Sequence, residues 1–136
     1  MTVETKRITL SWERQLVFRG WAPGVPQIVI DSDNAAGPGP MLTLLLAAAG
    51  CSGSDVVVIL EKMRVALREL RIEVRGKRRE EQPRRYTDIH LDFHLSGDGL
   101  DETRARRAID LSLEKYCSVI ASLASDIKIT YGLTLA

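Results

Sequence analysis

Aromatic residues are scarce in this chain, 5% of 136 residues, and that leaves little from which to build a base-stacking platform. Net charge is nearly absent too, at +1, so no global field favours nucleic acid or an anionic membrane. The longest apolar run, Met41 to Ala49, is interrupted by Thr43 and stops at Gly50-Cys51. That falls well short of the roughly 20 residues a bilayer-crossing helix needs. Residues Met1 to Arg7 are polar and charged and have none of the apolar core of a secretion signal. A cytoplasmic protein is therefore expected. Cysteine is sparse as well, at two residues, and in a reducing compartment such a pair points to free or redox-active thiols rather than a standing disulfide.

What is present is ordinary for a globular domain: 45% hydrophobic and 27% charged residues, in a length suited to a single domain over 1–136. Three short segments rich in β-formers come first, Arg7 to Trp12, Gln15 to Gly20 and Gln27 to Asp31, with turns at Glu13-Arg14 and at Trp21 to Pro26. A loop of Ser, Asp, Asn, Gly and Pro follows from Ser32 and ends in Gly37-Pro38-Gly39-Pro40. Pro40 suits the first turn of a helix, and Met41 to Leu67 carries helix formers with no further proline. The first half of that helix is apolar nearly all round. It needs more cover than one sheet face supplies, and a partner subunit is the natural source.

Leu70 to Lys77 and Tyr86 to Leu95 alternate apolar and polar residues as half-exposed strands do. Asp101 is a candidate cap for a helix with Ala105, Ala108, Ile109, Leu111 and Leu113 on its apolar side. This helix is broken near Tyr116 and runs on through Cys117 to Leu123, and Ile127 to Leu135 closes the chain as a strand. The order β-β-β-α-β-β-α-β, with antiparallel hairpins and a cysteine on each helix, is an α+β architecture.

Cys51 sits among small residues, Ala47-Ala48-Ala49-Gly50-Cys51-Ser52-Gly53-Ser54. Gly50 and Gly53 each cost about 1 kcal/mol of helix propensity, a cost that makes sense where a ligand or another helix comes close to the backbone. A buried cysteine also serves as a small hydrophobe, so a structural role stays open for both thiols. A redox pair would begin with attack of Cys51 on a peroxide O–O bond, and Cys117 would then resolve the sulfenic acid to a disulfide. Asp55, one helical turn after Cys51, works against a thiolate. The activating cation must come from elsewhere, with Arg14, Arg19 and Lys115 as candidates.

Other patterns carry less. His90 and His94 share a strand face with Asp88 and Asp92, but residues four apart in a strand lie about 13 Å apart, too far to share a metal. Gly37 to Pro40 lacks the lysine and Ser/Thr of a phosphate loop. The basic stretch Arg75 to Arg79 runs straight into Glu80-Glu81, as a solvated hairpin does.

Several segments together resemble the OsmC/Ohr family. They are Pro40-Met41 with Leu44 to Cys51, Asp55-Val56-Val57 and Ile59-Leu60; then Pro83 to Thr87 with Ile89 to Phe93; then Ala108 to Ser112 with Glu114 to Val119. The resemblance implies an OsmC-like fold, with antiparallel sheets wrapped around two central helices in an intertwined homodimer whose two active sites lie at the interface. It also implies thiol-dependent reduction of hydroperoxides, organic ones preferred, with Cys51 peroxidatic and Cys117 resolving. An external thiol would be the reductant, and no metal or organic cofactor is implied. The alternative is a non-catalytic dimer of the same fold that binds a small apolar or thiol-reactive ligand. In Ohr-type members an Asn-Pro-Glu signature precedes the first cysteine, and its glutamate pairs with an arginine of the N-terminal hairpin. Here that place reads Gly39-Pro40-Met41-Leu42, and the arginine is either Arg14 or Arg19.

Overall fold

The computed structural model describes residues 2–136. The chain divides into two compact units, Met1–Leu44 and Leu45–Ala136.

The first unit is a three-stranded antiparallel sheet of β1 (Thr9–Arg14), β2 (Val17–Trp21) and β3 (Ile28–Asp31), in that order. The first turn falls at Gln15-Leu16, between the paired residues Arg14 and Val17, two residues later than the sequence suggests. Gln15 takes a positive φ of 44°. Without a Gly or Asn to mark that backbone state, the turn has no compositional signature. The indole N–H of Trp12 donates to the carbonyl of Gln15 at 2.7 Å and clamps it. One side of the sheet leaves Ile8, Leu10, Trp12 and Ile28 exposed. After β3 the loop is organised by Asp31, whose carboxylate accepts from the backbone N–H groups of Asp33, Ala35 and Ala36. Those donors hold the Asp31 carboxyl below the usual range. Asn34 accepts from the N–H of Gly39 in the same way.

Helix α1 (Pro40–Lys62) begins in the first unit and continues into the second. It stops short of the expected Leu67 because Arg64 turns the chain at φ 62°, and Ala66 already opens the next strand. Its buried residues Leu45, Ala48, Ser52, Gly53, Val56 and Leu60 form one face. By length and composition alone the whole helix could cross a bilayer, which the short apolar run Met41 to Ala49, interrupted by Thr43, does not suggest. Its buried face nevertheless packs on protein. A Cβ on Gly53 would lie 3.3 Å from Cδ1 of Ile72, so this glycine lets α1 approach a strand, not a helix or ligand. Gly50 faces open space.

The second sheet has the order β4-β5-β6, with β4 (Ala66–Arg78) and β5 (Tyr86–Asp98) antiparallel. Ile89, Leu91, Phe93 and Leu95 are buried on one side, as the alternation requires. β6 (Lys128–Leu135) pairs with β5 in parallel, so the expectation of purely antiparallel sheets is corrected. The helical crossover after β5 carries the chain back to the end where β5 began, and a strand entering there must run the same way. That crossover is α2 (Glu102–Leu111), a π-helical turn (Ser112–Tyr116) and the short α3 (Ser118–Ala121). Asp101 caps α2, its side chain accepting from the N–H of Arg104 at 2.8 Å.

Candidate active site

Cys51 lies midway along α1 and is half-buried. Cys117 does not lie within a helix, contrary to its expected place. The π-helical turn ends there, the backbone is extended at φ −70°, ψ 100°, and the Cys117 N–H donates to the Ser112 carbonyl at 2.7 Å. Such wide turns occur often at functional sites. Here the extra residue per turn breaks the helix and drives the Cys117 side chain inward, leaving it 3% exposed. The two sulfurs and a carboxylate oxygen of Asp55 all lie within 4.8 Å of one another. The expected pairing of Cys51 with Cys117 is therefore present as proximity, between thiols that are both free.

Behind the sulfurs runs a buried polar chain. Ser112 Oγ lies 2.9 Å from Ser52 Oγ and 2.9 Å from Asp55 Oδ2. An ionised carboxylate only accepts, so the Ser112 hydroxyl proton points to Asp55 and its lone pairs serve Ser52. Ser52 and Ser112 are fully buried. Asp55 is held by this contact and forms no ion pair among the described residues.

Burial pushes the Cys117 thiol up to about 11. The backbone N–H of Ile120 pulls the other way, while a hydrogen bond to Cys51 and the charges of Cys51 and Asp55 push further up. Cys117 is thus a protonated thiol at neutral pH, facing the Cys51 sulfur.

The candidate cations take other partners. Arg14 ends β1 and Arg19 lies within β2; both hold Glu13, at 3.4 and 3.1 Å. Lys115 places its Nζ over the Tyr116 ring, 5.3 Å from the centroid. His90 hydrogen-bonds Thr130 and Asp92, and His94 lies 3.9 Å from Glu73. The histidines thus belong to a polar sheet face with partners of its own. Among the described residues the sole cluster of metal-ligating type is Cys51, Asp55 and Cys117.

Ser52 and Ser112 were not singled out from the sequence, yet both left a signal. Ser112 continues the apolar spacing Ala105, Ala108, Ile109, and Ser52 falls between Ala48 and Val56 on the inner face of α1. A polar residue at a core position needs a buried partner. Two such residues on two helices are each other's simplest solution.

Residues 32–132 match the family model described as OsmC-like protein. Protein YhfA of Escherichia coli K12 is 40% identical over 124 residues, covering 90% of this chain and 92% of that protein. A hypothetical protein from Aquifex aeolicus is 31% identical with a TM-score of 0.85, covering 98% of this chain and 99% of that one. The organic hydroperoxide resistance protein OhrB of Bacillus subtilis shares the fold at 16% identity and TM-score 0.64, covering 96% of this chain and 98% of that one.

Proposed function

Because the chain belongs to the OsmC-like protein family, we propose that it reduces hydroperoxides, organic ones by preference, through Cys51 and Cys117. The observation that carries the reading is the approach of the two free sulfurs to within 4.8 Å. The fold shared with an organic hydroperoxide resistance protein supports the substrate class.

The Cys51 thiolate attacks the outer oxygen of the hydroperoxide, the O–O bond breaks, and the alkoxide leaves as an alcohol after taking a proton. Cys51 becomes a sulfenic acid. The Cys117 sulfur then attacks the Cys51 sulfur and displaces water, and its own proton leaves with that water. The sulfurs close to about 2.05 Å in the disulfide. Two equivalents of an external thiol return both cysteines to thiols and leave as their own disulfide. The geometry suits this division, since Cys51 is the more exposed sulfur and Cys117 is buried behind it as a thiol.

Activation of Cys51 calls for a cation, and Arg14 and Arg19 are the residues proposed for it. The working unit is a homodimer. Leu42, Leu46, Gly50, Ser54, Val57 and Val58 leave an exposed stripe along α1, and such a stripe is costly to hydrate. A second chain covering it would also close the site. The setting in that case is the cytoplasm.

A carboxylate facing the sulfurs, together with Met41-Leu42 in place of the glutamate of Ohr-type members, favours one second reading, a dimer that binds an apolar or thiol-reactive ligand without turnover. Intact-mass analysis after stoichiometric cumene hydroperoxide separates the two. Rapid loss of two hydrogens, with sulfenic acid trapped on Cys51 in Cys117→Ser, is the expected result. Thiols that stay reduced while a control peroxidase oxidises would leave only ligand binding.

A further inference from the structure

The peroxidase chemistry uses two of the three groups that meet at the site. Asp55 has no part in it, and its charge opposes a thiolate. It nevertheless occupies a defined position, one turn after Cys51 on the same face of α1, with Oδ2 held by the buried Ser112 hydroxyl. A carboxylate and two thiols converge within 4.8 Å, and no lysine or arginine pairs with the carboxylate among the described residues. The local complement of such a set is a cation, and thiolate sulfur selects a soft one.

We propose that the reduced site binds a thiophilic divalent cation, Zn2+ in the first instance, through Cys51 Sγ, Cys117 Sγ and a carboxylate oxygen of Asp55. Tetrahedral zinc takes sulfur at about 2.3 Å and carboxylate oxygen at about 2.0–2.2 Å, which places ligand atoms some 3.5–3.8 Å apart. The three groups approach that spacing by small side-chain rotations. Cys51 and Asp55 form an i, i+4 pair on a rigid helix. Ser112 fixes the carboxylate from behind, as the outer partner of a metal ligand does, and Ser52 holds Ser112 in turn. Three protein ligands leave a fourth position for water or an incoming thiol.

The inference stands apart from the peroxidase reading, but the two are linked by exclusion. Sulfur lone pairs engaged with zinc do not attack an O–O bond. Conversely, oxidation of both cysteines to the disulfide by one hydroperoxide, which becomes an alcohol and water, removes two of the three ligands and releases the ion.

The test is titration of the reduced, chelator-treated full-length protein with Zn2+ by calorimetry, and with Co2+ by absorbance. One equivalent per chain is expected, with a sulfur-to-cobalt charge-transfer band. Cys51→Ser, Cys117→Ser and the disulfide form should lose both signals. Asp55→Asn keeps an acceptor for Ser112 and should weaken zinc by about 10-fold or more while leaving the circular dichroism spectrum unchanged. Zinc uptake no greater than in the cysteine variants, or a cobalt spectrum without the sulfur band, overturns the site. Equal affinity in Asp55→Asn and wild type overturns the three-ligand set. Peroxide turnover of the same metal-free sample keeps the two ideas separable: turnover without zinc uptake removes only this inference, and zinc uptake without turnover removes only the peroxidase reading.

Discussion

The two cysteine-bearing segments solve opposite problems. Around Cys51 the chain is a continuous helix of 23 residues, with one face buried and the other exposed. A sulfur placed there is held by a rigid rod and still reached from solvent. Around Cys117 the helix is broken by a π-helical turn and an extended residue, and the sulfur is buried at 3% exposure. One segment presents a thiol, and the other stores one behind it. Similar residue types in two helical segments acquire different chemistry from backbone geometry and burial alone.

Removing each sulfur in turn is the largest test of that contrast. Cys51→Ser is expected to bring peroxide turnover down to the uncatalysed background. Cys117→Ser should keep the first turnover, seen as one equivalent of alcohol in a rapid-quench assay, and lose the cycle that follows. Equal single-turnover losses in both variants would erase the distinction between presenting and stored thiols.

Next in size is the buried hydroxyl that joins the segments. Ser112→Ala leaves Ser52 and Asp55 without their shared partner, and an unsatisfied buried polar group costs about 1–3 kcal/mol. Urea unfolding should read that loss. In the double variant with Ser52→Ala the second substitution should cost less than it does alone, because its partner is already gone. Strict additivity would mean that the hydroxyls do not interact.

A pH series sharpens the comparison further. The Cys117 thiol is raised from an ordinary value of 9.0 to about 11 in the folded protein. A raised acid of this kind contributes stability that is fully present below about pH 9 and lost as pH climbs through about 11. Unfolding midpoints should therefore fall over that window in wild type, and the fall should be shallower in Cys117→Ser. Near neutral pH, iodoacetamide should modify Cys51 well before Cys117, as peptide mapping would read. Preferential labelling of Cys117 would reverse the assignment.

The smallest effect is expected at Gly53→Ala. Alanine gains about 1 kcal/mol of helix propensity, but its Cβ would sit 3.3 Å from Cδ1 of Ile72, so the chain end of Ile72 must shift slightly. The two effects nearly cancel, and thermal unfolding should move by only a few degrees. Gly50→Ala has open space around it and would gain the propensity alone in an isolated chain. A loss there would point to a second chain packed against that face.

Much of the fold was legible residue by residue. The alternation of Ile89, Leu91, Phe93 and Leu95 marked a strand with one buried side, and Asp101 marked the start of α2. The end of α1 was not legible, because Arg64 adopts a left-handed backbone that arginine rarely takes. The turn at Gln15 was hidden for the same reason. The parallel pairing of β6 was also out of reach, since it depends on where the crossover delivers the chain rather than on the composition of Lys128 to Leu135. Within the site both cysteines and Asp55 drew attention from local sequence, whereas Ser52 and Ser112 look unexceptional until the inner faces of their helices are known.

By itself the sequence determined the element types, the α+β class, the family and the two thiols, because periodicity, helix propensity and residue chemistry act over a few neighbouring positions. The tertiary structure decided the rest. It brought Cys51, Cys117 and Asp55 within 4.8 Å, turned one thiol inward through a π-helical turn, and joined two serines 60 positions apart in a single hydrogen bond. Distance between residues remote in the chain is set by how helices and sheets pack, and no local pattern encodes it.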